Sequence, residues 1–152
     1  MKRVWIYQSN RFLTADEEAQ VKGILAEFVQ QWTAHGSQLA GSFEIRYGLF
    51  IFLHVDEEMA MVTGCSIDKS VQLLKQIESA LQINLFDRML LAYRDEQQDI
   101  QVVSRNRFEE LMQQGLIHKD SIVFNNMLTT STAVAEKWEV PLKDSWHAQL
   151  FL

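Results

Sequence analysis

The segment Leu49-Phe50-Ile51-Phe52-Leu53-His54-Val55 constrains this chain more than any other, because only His54 in it is polar. A strand without polar alternation has both faces covered and belongs in the middle of a sheet. Just before it, Phe43-Glu44-Ile45-Arg46-Tyr47 alternates, as a strand with one buried face does. A turn around Tyr47-Gly48 makes the two strands a hairpin. Val4-Trp5-Ile6-Tyr7 is β-branched and aromatic and reads as an earlier strand, ended by polar Gln8-Ser9-Asn10-Arg11.

Between these strands the period changes. Thr14, with Glu17 three residues on, matches a capping box. Val21, Ile24, Leu25, Phe28 and Trp32 then form one apolar helical face, and Ala34-His35-Gly36 is expected to close the helix. After Asp56-Glu57-Glu58, a second amphipathic helix is marked by Ile67, Val71, Leu74, Ile77 and Leu81. Arg88 to Tyr93 and Ile100 to Val103 read as two strands joined by the polar turn Asp95 to Asp99. A short helix from about Asn106 to Gln114, a small strand Ile122-Val123-Phe124 and a last helix Thr132 to Trp138, ended before Pro141, complete the chain. The order is strand, helix, strand, strand, helix, strand. It predicts a single α+β domain over 1–152, with a ferredoxin-like split βαββαβ core at about 3–103 and a C-terminal strand/helix extension at about 104–152.

Charge narrows the partners. The formal net charge is -6, and an acidic surface repels phosphate backbones, so no nucleic acid is expected. Aromatic residues on Val4-Trp5-Ile6-Tyr7 and Arg46 to Phe52 faintly suggest an RNA-stacking sheet, but their positions do not match that pattern. The longest apolar run, Leu49 to Leu53, is too short for a bilayer, and Val4 to Tyr7 is too short for a signal peptide core. No membrane partner is expected, and the location expected is cytoplasmic. One cysteine, Cys65, excludes an intrachain disulfide and a CxxC metal site.

Trp5-Ile6-Tyr7-Gln8-Ser9-Asn10-Arg11, Trp32-Thr33-Ala34-His35-Gly36, Gly64-Cys65-Ser66-Ile67-Asp68, Leu85-Phe86-Asp87-Arg88 and Ser145-Trp146 together resemble a small uncharacterised bacterial family, over nearly the whole chain. Some relatives are labelled "ABC transporter ATPase". A phosphate-binding loop of that kind needs Gly-x-x-x-x-Gly-Lys-Ser/Thr, and no such stretch occurs here. The resemblance brings no catalytic residues with it.

Candidate chemistry gathers at Thr63-Gly64-Cys65-Ser66-Ile67-Asp68-Lys69-Ser70. If Ser66 or Asp68 caps the second helix, Cys65 lies at its N-terminus, where the dipole and free amides favour a thiolate. A cysteine nucleophile also needs a base, for which His54 or His35 is available. The bland alternative is a small cysteine packed at the start of a helix. Ser66, Asp68, Lys69 and Ser70 could instead bind a carboxylate or phosphate, against simple self-capping. His54 and Asp56 share a strand face, but without a second close pair of ligands no metal site is expected, and no cofactor. The function expected is a non-enzymatic cytoplasmic binding or interaction protein forming a homodimer. The alternative is a small enzyme or a protein binding an anionic small molecule, with a pocket at the Gly64 to Ser70 helix N-terminus that uses Cys65 as the reactive group and His54 as the base.

Overall fold

A computed structural model describes all of residues 1–152, and the apolar segment singled out above is its most deeply buried strand. Contacts divide the chain into two units, residues 1–86 with 129–131, and 87–128 with 132–152. The class is mixed α+β with antiparallel sheets. No helix is long and apolar enough to cross a membrane.

The first unit contains β1 (Lys2–Gln8), α1 (Ala15–Gln31), the two-residue strands β2 (Thr33–Ala34) and β3 (Ser37–Gln38), β4 (Ala40–Arg46), β5 (Phe50–Asp56) and α2 (Gly64–Leu81). β5 pairs antiparallel with β1 and β4, giving the order β1-β5-β4. Ile51 and Leu53 of β5 pack with Val21 and Leu25 of α1 and Leu74, Ile77 and Leu81 of α2. Both helices therefore cover one sheet face. Alternation turns Phe50, Phe52 and His54 to the other face.

The capping box forms as the spacing predicts. Thr14 Oγ1 accepts from the Glu17 amide at 3.1 Å, and Glu17 Oε1 accepts from the Thr14 amide at 2.9 Å. Arg11 also grips Glu17 through two 2.8 Å bonds and donates to the Leu81 carbonyl at 2.8 Å, tying the start of α1 to the end of α2. The Arg11 hydrogen bonds, then the Thr14 amide, hold the Glu17 carboxyl down at about 2. Thr14→Ala is expected to lower stability by about 1 kcal/mol, read as a shift of the urea midpoint at unchanged slope.

The second unit contains β6 (Leu90–Arg94), β7 (Ile100–Ser104), α3 (Arg105–Gln113), β8 (Ile122–Phe124), α4 (Ser131–Lys137, beyond its first residue), β9 (Glu139–Pro141) and α5 (His147–Phe151). Its sheet has the order β7-β6-β8-β9. Here the structure departs from the split βαββαβ sheet. β6, the expected fourth strand, pairs with β7 and β8. Leu91 and Tyr93 of β6 have a core of their own, made with Phe108, Leu111, Val123 and Leu142. The free edge of β1 is met by residues 129–131 instead: the Val4 amide donates to the Thr129 carbonyl at 3.0 Å, and Arg3 bridges Thr130. The boundary between the two units falls after Phe86, inside the core expected at about 3–103, and 87–103 groups with 104–128 and 132–152.

Ala34-His35-Gly36 does not close α1. The helix ends at Gln31, and Trp32 leaves in extended conformation. His35 and Gly36, at φ 51° and 78°, form the two-residue turn of the β2–β3 hairpin. Positive φ at both turn residues matches the twist of the flanking strands.

Candidate functional site

The cap of α2 falls on Thr63, not on Ser66 or Asp68. Thr63 Oγ1 accepts from the Ser66 amide at 3.1 Å, and Ser66 Oγ accepts from the Thr63 amide at 2.7 Å. Cys65 is therefore the second residue inside the helix, and it is exposed. The Ile67 amide closes onto the Thr63 carbonyl at 3.0 Å. The amides of Gly64 and Cys65 are left as the donors at the helix mouth.

These residues open onto a cleft of about 520 Å³. One wall is Thr33, His35 and Gly36 of the β2–β3 hairpin; the other is Thr63, Gly64, Cys65, Ser66 and Lys69. Trp32 holds the walls together. Its indole Nε1 donates to the Ser66 carbonyl at 2.8 Å in a buried bond. Its ring packs at 5.0 Å from Phe28 and 6.1 Å from Trp5, measured between centroids. The hairpin begins at the next residue and so lies beside the first turn of α2.

The cleft has a definite electrostatic character. Its lining residues include Lys69 and His35 and no Asp or Glu. The first turn of α2 holds no acidic residue, whereas that of α1 holds Asp16, Glu17 and Glu18. The partial positive charge of the α2 N-terminus is not offset by its own first turn.

The residues marked from sequence separate. Among the anion candidates, Lys69 and Ser66 line the cleft, but the Ser66 hydroxyl is buried and engaged in the cap. Ser70 is also buried and donates to the Ile67 carbonyl at 2.6 Å. Asp68 and Ser70 do not line the cleft. His54 does not meet Cys65. It points away from the helices and shares another cleft with Asp56, Glu44 and Ser131. His35, expected at a helix end, lines the same cleft as Cys65, on the opposite wall. Its signal was the His-Gly pair, which suits a tight hairpin turn as well as a helix stop. No group of three or more His, Cys, Asp or Glu is arranged to hold a metal ion.

Comparison of the chain with family models, curated proteins and solved structures finds no match.

Proposed function

We propose that the cleft between the β2–β3 hairpin and the start of α2 binds a small anionic molecule, one bearing a carboxylate or phosphate. The observation that carries this reading is the lining: Lys69, His35 and the open amides of Gly64 and Cys65, without a carboxylate, in a chain of net charge -6. An anion there gains from the helix N-terminus and from a lysine that donates three hydrogen bonds. Cys65, exposed in the same wall, is the group positioned to react with a bound ligand, and His35 replaces His54 as its base. Calorimetric titration with inorganic phosphate and with short carboxylates tests this. Binding should weaken about tenfold in Lys69→Ala, on the order of 1.4 kcal/mol. A bound anion should also slow alkylation of Cys65 by iodoacetamide. Absence of heat and of protection for every anion would overturn the reading.

A second reading rests on β4, the edge strand of the first sheet. We read that sheet as ferredoxin-like, with residues 129–131 standing at the fourth-strand position, and β4 as the edge through which two copies form a homodimer. Edge strands present backbone groups that can pair with another chain. Light scattering after size exclusion should give twice the chain mass, 17.7 kDa, at micromolar concentration. A strict monomer would refute the pairing.

A further inference from the structure

We propose that Ser131, His54 and Glu44 form a separate acyl-transfer site, with Ser131 as nucleophile and a small carboxylic ester as substrate. All three belong to the first unit and line a cleft of about 400 Å³ on the sheet face away from the helices. His54 Nε2 lies 2.8 Å from Glu44 Oε2, and His54 Nδ1 lies 2.7 Å from Ser131 Oγ. Arg46 fixes the other Glu44 oxygen at 2.9 and 3.0 Å. Partial burial opposes ionisation of Glu44, but hydrogen bonds from His54 and Arg46 prevail and hold its carboxyl below the usual range. A carboxylate only accepts, so Nε2 carries the proton and donates to it. A neutral ring then offers Nδ1 as acceptor, and the Ser131 hydroxyl donates to it.

That chain of nucleophile, base and orienting carboxylate is recognised by geometry and not by sequence order. The ring of Phe52 lies nearly parallel to that of His54, at 8° and 6.1 Å between centroids. Ser131 Oγ has one further acceptor, the Arg3 carbonyl at 3.2 Å. The single hydroxyl proton of Ser131 can go to only one of these acceptors at a time, and attack uses the rotamer that gives it to His54 Nδ1. Lys2 and Asp56, opposite each other in the β1–β5 register, complete the lining. In the first step Ser131 Oγ attacks the acyl carbon and its proton passes to Nδ1. The carbon–oxygen bond to the alcohol breaks, and the alcohol leaves with that proton. Water then repeats the sequence on the acyl-serine, releasing the carboxylic acid and restoring the hydroxyl.

Incubation of the full chain with a fluorophosphonate, followed by peptide mass mapping, tests the site. The expected result is one adduct, on Ser131, absent from Ser131→Ala. His54→Gln should form it about a hundredfold more slowly, the usual contribution of a general base. Circular dichroism confirms that each variant is folded. If His54→Gln does not fold, Glu44→Gln, at a partly exposed side chain, must slow the labelling instead. No adduct on the folded protein, an adduct elsewhere, or labelling indifferent to these substitutions would overturn the proposal and leave the three residues as a tether of the 129–131 segment.

Discussion

Replacing Trp32 with alanine is expected to destabilise the first unit by about 4 kcal/mol, within the usual range for an aromatic-to-alanine change in a core. Trp32 is 1% exposed and packs against Trp5 and Phe28. Gly41 sits directly under the ring: a Cβ there would lie 3.1 Å from Trp32 Cε3, so β4 is shaped to the indole. The substitution empties that volume and also strips the Ser66 carbonyl of its indole donor. The Ser66 carbonyl lies inside α2 and keeps its intrahelical partner, so the loss of this second bond is destabilising by only about 0.5–1.5 kcal/mol. Trp32→Phe separates the two effects, because it retains most of the ring and loses the hydrogen bond. It should fall between the wild type and Trp32→Ala. Urea unfolding followed by circular dichroism gives both values. The alanine variant should also lose affinity for anions, since the hairpin is no longer pinned to α2. A loss below about 1 kcal/mol would mean that Trp32 does not organise this end of the unit.

The parts of the fold legible in the sequence were those set by local pattern. The apolar run marked β5 as central because an uninterrupted apolar strand has no polar face to offer solvent. Thr14 and Glu17 carried a complete capping box. What failed was partner choice. The composition of Leu90–Arg94 says that it is a strand but not which edge it joins, and Thr129 to Ser131, polar and short, has no strand signature at all. The cap of α2 was hidden for a related reason: Thr63 pairs with a serine three residues on, where the recognisable box has Glu or Gln. One failure was avoidable. If Ile51, Leu53 and Val55 face the helices, parity alone sends His54 to the other side and away from Cys65. The Glu44–His54 contact was equally within reach, since the hairpin register sets Ser42 opposite His54 and leaves Glu44 one diagonal step away. Ser131, 77 residues from His54, gave no signal.

Acidification from pH 7 to pH 5 is expected to remove about 2 kcal/mol of stability from the second unit through one residue, His147. Its ring is 1% exposed, lies 4.1 Å from the ring of Trp146 and 6.2 Å from that of Phe108, and Nδ1 is 2.8 Å from Ser145 Oγ. Burial pushes its pKa down from 6.5 to about 4, because the charged ring has lost its water. The unfolded chain takes up a proton near pH 6.5 and the fold only near pH 4, so between those values the unfolded state binds more protons. Stability is therefore complete above about 6.5, declines as pH falls, and levels off below about 4, for a total of about 3 kcal/mol. Glu17, with its carboxyl held at about 2, adds an acid-induced loss only below its ordinary value of 4.5. The window from 4.5 to 6.5 is free of that loss. His147→Asn, a polar ring-free side chain of smaller volume, should be less stable at pH 7 yet lose markedly less between pH 7 and pH 5. Urea midpoints of both proteins at the two pH values test this directly. Parallel declines in the two would place the acid sensitivity elsewhere. A flattened decline in the variant would show that the contact of α5 with Phe108 depends on keeping that ring uncharged.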